Sequence, residues 1–194
     1  MKILLTLFVL LFSLILSSCE QKPLIEDYKI EGIGLGDSLL EHYSKKEILN
    51  STRVYYENDI FVSFESNLDL LENSQYNVLQ IRYKSNDEKY IVYSVVGVFY
   101  FKDNIEKCDS KKNDLIKEIS ELLQIDSFED SSYENSYGSM SGVYKDLADD
   151  VTIQIYCSDW NMKTENEKNW TDNLRIEINS KDYLDWLYSL DLNQ

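Results

Sequence analysis

Alternating apolar and polar positions predict strands through most of the chain. In residues 76–83, Leu79 and Ile81 fall on one face and Gln80 and Arg82 on the other, which is the two-residue period of a strand. The β-branched and aromatic run in residues 90–102 predicts a central strand that is buried on both faces. Shorter runs predict strands at residues 28–30, 54–56, 60–64, 142–147, 151–158 and 173–179.

Helical spacing appears in two segments. Residues 109–124 carry one apolar stripe, which predicts a helix packed on the sheet; the stripe consists of Leu115, Ile116, Ile119, Leu122 and Leu123. Ser180 is expected to cap a C-terminal helix whose apolar face carries Tyr183, Trp186, Leu187 and Leu190. Two capping boxes, Ser38 to Glu41 and Ser44 to Glu47, predict short helices earlier in the chain.

The order of these elements predicts an α+β fold. We expect a mostly antiparallel sheet of about six to eight strands, covered on one side by the central and the C-terminal helix. Residues 126–142 and 160–170 are polar and are interpreted as loops. Residues 28–194 are expected to form a single α+β domain, since they contain no proline and no convincing internal repeat.

The first eighteen residues differ from the rest. Lys2 precedes an apolar run over residues 3–16, which at 1.5 Å per residue spans about 21 Å, short of a hydrocarbon core of about 30 Å. This length is typical of a signal peptide. The block Leu16-Ser17-Ser18-Cys19 that follows resembles the lipobox of bacterial lipoproteins, in which an aliphatic residue and two small residues precede the cysteine.

The resemblance to bacterial lipoproteins implies cleavage before Cys19 and lipid on its thiol. Residues 1–18 would then be the signal peptide, and residues 19–27 a lipidated tether. Two or more acyl chains, palmitate among them, would hold the domain stably on a membrane. Glu20 stands where aspartate acts as an inner-membrane retention signal in some bacteria. We therefore expect a cell-envelope protein on the outer membrane, facing the periplasm, in a cell with two membranes.

The acidic composition of the chain argues against some classes of binding partner. The chain carries a formal net charge of −16, and removal of Lys2 with the signal peptide leaves −17. Such acidity repels nucleic acid and anionic lipid headgroups, so no nucleic-acid partner is expected. With 43% hydrophobic and 13% aromatic residues the chain has ample material for a core.

Lipid on Cys19 would leave Cys108 and Cys157 as an even pair. In an oxidising compartment such a pair predicts a disulfide, and two buried free thiols are the alternative. Neither cysteine belongs to a CxxC pair, so metal ligation is not expected, and no cofactor is predicted.

The segment Gly36-Asp37-Ser38-Leu39 resembles the block for which the GDSL esterases and lipases are named. The resemblance implies a nucleophilic Ser38 and a histidine base from a D-x-x-H near the C-terminus. The only histidine is His42, four residues after Ser38, and residues 43–194 contain none. We therefore interpret Ser38 as a helix cap and keep an esterase as the alternative.

Four aromatic residues, Tyr133, Tyr137, Trp160 and Trp170, fall in the predicted loops. We interpret them as core anchors under those loops; the alternative is contact with protein or glycan partners. Apart from the signal, the sequence resembles no family with a known activity. The resulting expectation is a non-enzymatic, lipid-anchored interaction or binding domain that contacts a protein partner.

Overall fold

A computed structural model of the chain describes residues 29–55, 60–68, 74–102, 104–147 and 150–190. The predicted signal peptide, Cys19 and the tether lie outside the described residues. The strands of the described part are β1 Thr52–Arg53, β2 Phe61–Asn67, β3 Val78–Lys84, β4 Ser94–Tyr100, β5 Glu129–Asp130, β6 Tyr133–Asn135, β7 Gly138–Leu147, β8 Val151–Trp160 and β9 Asn173–Ser180. The helices are a 3-10 turn Leu39–Glu41, α1 Lys45–Ser51, α2 Ile105–Leu123, α3 Met162–Lys168 and α4 Lys181–Ser189.

The strands form one antiparallel sheet in the order β1-β2-β3-β4-β9-β8-β7-β5, and β6 pairs with β7. The α+β class and the antiparallel sheet are confirmed. The nine strands exceed the predicted six to eight because β1, β5 and β6 are only two or three residues long. The last strand, β9, lies in the interior of the sheet between β4 and β8.

One face of the sheet carries the main hydrophobic core. On β3 the predicted alternation is confirmed, with Leu79 and Ile81 fully buried on this face. The buried residues of α2 pack on the same core; they are Cys108, Leu115 and Ile119. Leu122, which the apolar stripe included, is 50% exposed, because the helix presents it beyond the edge of its contact with the sheet.

The opposite face of the sheet is polar and is partly covered by α4. This helix begins at the predicted cap, where Ser180 Oγ accepts from Tyr183 N. Its residues Tyr183 and Trp186 pack against Phe61 in a hydrophobic cluster separate from the main core. Since Phe61 shares a face of β2 with Ser63, α4 stands at the edge of the polar face.

Some elements differ from the sequence-based prediction. Residues 126–142 hold β5, β6 and the start of β7, and residues 160–170 hold α3, so neither segment is simply a loop. The predicted strand at residues 28–30 is reduced to an isolated bridge between Ile30 and Ile33. The predicted hairpin of residues 54–56 with 60–64 exists, but its first strand is β1 at Thr52–Arg53.

Candidate functional site

Ser38 caps the 3-10 turn. Its Oγ accepts from Leu40 N at 3.3 Å and donates to Lys89 O at 2.6 Å, a bond that ties the turn to the segment before β4. Ser38 is therefore a cap, as predicted, but its side chain accepts from Leu40 N, and the element that it caps is a single 3-10 turn. Of the two predicted capping boxes, the one formed by Ser44 and Glu47 is present, at the start of α1.

Asp37 and His42, the ionisable residues beside Ser38, make hydrogen bonds that hold the turn. Asp37 Oδ2 accepts from Lys29 Nζ at 2.8 Å and from Gly34 N at 2.9 Å. Burial opposes ionisation of Asp37, but these two donors outweigh burial and lower the pKa of its carboxyl. His42 is the C-cap residue of the turn, where its N–H donates to Leu39 O. The arrangement holds a loop and leaves Ser38 Oγ bonded to the backbone.

Cys108 and Cys157 are brought together as predicted. Their sulfur atoms lie 2.04 Å apart, which is disulfide-bond distance, and their Cα atoms are 6.0 Å apart. The pair joins the first turn of α2 to β8 within the main core.

A broad concave surface lies on the polar face of the sheet. The floor of this surface includes one row of residues that lie side by side on neighbouring strands. In this row Glu65 on β2 pairs with Gln80 on β3, and Glu177 on β9 pairs with Gln154 on β8. Val96 on β4 lies between Gln80 and Glu177 in the same row. Because side chains of an antiparallel row project from one face, five strands contribute to a single surface.

An ion pair with a tyrosine lies at the centre of this floor. Arg175 Nε donates to Glu177 Oε1 at 2.9 Å, and Tyr156 Oη donates to the same oxygen at 2.6 Å. Arg175 Nη2 also donates to Gln80 Oε1 at 2.6 Å. The side chains of Arg175 and Glu177 are only 21% and 12% exposed, so the pair is shielded from bulk water on most sides.

Burial and these contacts set the ionisation of the three groups. Burial opposes the charge of Glu177, but Arg175 and the Tyr156 hydroxyl outweigh it and lower the pKa of the carboxyl. Burial also opposes the charge of Arg175, yet Tyr156 and Glu177 raise its pKa. Burial, with Glu177 nearby, raises the pKa of Tyr156 well above its usual range. At neutral pH the floor therefore holds a charged pair and a neutral phenol.

The same network continues toward β1. Gln80 Nε2 donates to Glu65 Oε1 at 2.8 Å, and Tyr55 Oη donates to the same oxygen. Burial and Glu65 raise the pKa of Tyr55 to about 12. Arg82 Nη1 donates to Ser63 Oγ on the neighbouring strand. A continuous series of contacts thus runs from Tyr156 to Tyr55 and fixes the polar side chains of the floor.

Aromatic residues form the walls above the floor. On one side α3 brings Trp160 and Trp170 together, with ring centroids 4.6 Å apart. Asn161 caps α3, and Asn169 ends it in the left-handed conformation, which returns the chain toward β9. On the other side stand Tyr183 and further residues of α4. We call the open space of about 940 Å³ between these walls the aromatic groove.

The exposed aromatic side chains of the described residues are concentrated at the aromatic groove. Those that line it are Tyr55, Tyr100, Tyr133, Trp170 and Tyr188. One more, Tyr137, packs on Trp170 with a centroid distance of 5.9 Å. The core-anchor interpretation is therefore wrong for Tyr133, Tyr137 and Trp170. Exposed aromatic rings gathered on one concave surface are typical of binding sites.

The charge of the groove differs from that of the molecule. Its charged residues are Arg82, Arg175 and Glu177 of the lining and Glu65 of the floor, which sum to zero, whereas the chain as a whole carries −16. The other lining residues are neutral, and they include Gln80, Gln154 and Asn173. The acidic surface of the protein thus does not extend into the aromatic groove.

Sequence reasoning had pointed to the groove only through its four loop aromatics. A further signal is the alternation of polar with apolar residues on two strands, with Gln80 and Arg82 on β3 and Arg175 and Glu177 on β9. On β3 this alternation predicts the strand but does not by itself indicate a site. Which strands lie side by side could not be read from that alternation.

In the described part of the chain, no helix is long and apolar enough to cross a membrane, and no three His, Cys, Asp or Glu side chains are grouped as a metal site. Comparison of the chain with protein-family models, curated proteins and solved structures gave no match.

Proposed function

We propose that the protein is a lipid-anchored binding domain of the bacterial cell envelope, without enzymatic activity, and that it takes its ligand in the aromatic groove. The observation that carries this proposal is the convergence of the exposed aromatic side chains on one concave surface above a fixed polar floor. Aromatic rings supply contact area at low entropic cost, and prearranged polar groups reduce the cost of ordering on binding.

The envelope location rests on the signal peptide and on Leu16-Ser17-Ser18-Cys19. Lipid on Cys19 would place the domain at a membrane surface, on the outer membrane facing the periplasm in a cell with two membranes. The sulfur pair at Cys108 and Cys157 supports an oxidising compartment.

Absence of catalysis is proposed from the contacts of Ser38. Its hydroxyl donates to Lys89 O, so the proton that a base would remove is already shared with a carbonyl. The esterase alternative would require Ser38 to break this bond and to find a base outside the capped turn.

The test compares retention of envelope material by groove variants. The full chain, purified in detergent and immobilised through a C-terminal tag, is incubated with an envelope extract of the source bacterium. We expect the Tyr133→Ala/Trp170→Ala variant to retain about tenfold less material than the unaltered protein, because it loses two exposed rings of the groove.

The matched control is Leu49→Ala/Leu122→Ala, which removes two exposed apolar side chains outside the groove. It should retain as much material as the unaltered protein, and thermal unfolding should show all three proteins folded. Equal retention by the groove variant and the control would refute the proposal.

A further inference from the structure

We propose that the ligand of the aromatic groove is an uncharged oligosaccharide. This inference rests on the proposed function and names the chemical class of the ligand. It is drawn from four properties of the groove: the chemistry of its floor, the faces of its walls, its charge and its size.

The floor offers side chains that suit hydroxyl groups. A sugar hydroxyl both donates and accepts hydrogen bonds, and so do the amides of Gln80, Gln154 and Asn173 that line the groove. Gln80 is held between Arg175 and Glu65 by bonds of 2.6 and 2.8 Å. A fixed amide does not have to be ordered when a ligand arrives.

One floor residue lacks a partner for part of its side chain. Asn173 is 8% exposed, and its Nδ2 donates to Thr171 O at 2.8 Å. Its Oδ1 has no hydrogen-bond partner among the described residues. A buried acceptor without a donor is costly, and a ligand hydroxyl reached by a small rotation of the amide would satisfy it.

The walls offer flat apolar faces beside this polar floor. A pyranose ring turns a face of C–H groups toward a neighbour and keeps its hydroxyls at its edge, so it packs on an aromatic ring while bonding to groups around it. Trp170 and Tyr133 are exposed, and Trp160 lies against Trp170. The groove therefore pairs platforms for C–H faces with acceptors and donors for hydroxyls.

The charge and the size of the groove favour several linked, uncharged rings. Among the residues that the structure describes, Glu177 is the acid that lines the groove, and Arg175 pairs with it. Glu65, at the end of the floor, accepts from Gln80 and Tyr55, so a cationic ligand finds no acid without a partner there. A polyanion would be repelled by the net charge of −16 around the groove. A volume of about 940 Å³ lies at the upper end of the range for ligand pockets.

An extended peptide fits this surface less well. A peptide that adds to a sheet needs an edge strand with free backbone groups, whereas the floor is built on β2, β3, β4, β9 and β8, each of which pairs on both sides. The floor also presents the polar side chains of Arg82, Gln154 and Tyr156, which do not anchor the apolar side chains of a peptide.

The experiment treats the envelope extract before capture by the full-length protein. One portion is digested with protease, and another is oxidised with periodate, which cleaves the vicinal diols of sugars. The detergent is one without a sugar headgroup, because a glycoside detergent would itself compete for the groove. Retention is compared with that of Tyr133→Ala/Trp170→Ala for each portion.

We expect groove-dependent retention to survive protease and to fall about tenfold after periodate. Loss with protease, with or without loss after periodate, would show that a protein is required; it would overturn the oligosaccharide while the proposed groove stands. Survival of both treatments would also overturn it. Equal retention by the unaltered protein and the groove variant, before any treatment, would refute the proposed function itself.

Discussion

Glu177 accepts three hydrogen bonds from side chains of the polar floor. Its Oε1 accepts from Arg175 and Tyr156, and its Oε2 accepts from Asn179 at 3.3 Å. Removing its charge would leave Arg175 in a shielded position without its ion-pair partner. The residue therefore connects the stability of the sheet with the form of the floor.

We expect Glu177→Gln to lower the free energy of unfolding by about 2 kcal/mol at neutral pH. The folded pKa of Glu177 is lowered from 4.5, so its stabilisation is present above pH 4.5 and is lost as the pH falls through the folded value. The difference between variant and unaltered protein should therefore shrink with acidification, as measured by urea denaturation over a pH series.

Glu167→Gln, an exposed carboxylate on α3, provides the matched control, with an expected effect within about 0.5 kcal/mol. A difference for Glu177→Gln that stayed constant into the acid range would contradict the assignment.

Ser38 is the residue at which capping and catalysis can be separated. Ser38→Ala should lower the free energy of unfolding by about 1 kcal/mol, because Leu40 N and Lys89 O lose their partner. Reaction with a fluorophosphonate probe should be the same with and without the substitution. Ser44→Ala, at the cap of α1, should cost a similar amount. Labelling that disappears only in Ser38→Ala would show a nucleophile.

The role of a residue can be predicted from the sequence where it depends on residues next to it in the chain. Ser44 and Ser180 were assigned as caps because a cap depends on three or four consecutive residues. Gln80 and Arg175, which touch across the floor, are 95 residues apart, and nothing in the sequence near either one indicates the other.

At the scale of elements, the sulfur pair connects α2 with β8 across a sequence separation of 49 residues. We expect Cys108→Ser/Cys157→Ser to lower the free energy of unfolding by about 4 kcal/mol, mainly by freeing the unfolded chain. Guanidinium denaturation with and without a reductant measures the effect. The reductant should destabilise the unaltered protein and leave the double variant unchanged; the same response from both would exclude the bond.

The elements predicted correctly are those in which the spacing of apolar residues follows from the face that is buried. β3, β9, α2 and α4 each bury one regular face, and their periods of two or about 3.6 residues follow from it. β5 and β6 are exposed at every position and exist because β7 offers them a partner. Pairing of that kind leaves no trace in the order of apolar residues.

At the scale of the whole molecule, the proposed lipid anchor on Cys19 would decide where the groove works. We expect metabolically supplied palmitate to label the full-length protein and not Cys19→Ala, and the variant to leave the membrane fraction. Cys108→Ser should still be labelled, since Cys108 is buried in the core and paired with Cys157, and is not the residue that carries the lipid. Labelling of Cys19→Ala, or membrane attachment without Cys19, would contradict lipid on this residue.

The position of β9 has a consequence for the order of folding. β4 and β8 do not touch each other as neighbours; each pairs with β9, which begins at residue 173 and ends at residue 180. The sheet thus stays in two separate parts until residues 173–180 have been made. Pairing between segments so distant in sequence closes slowly.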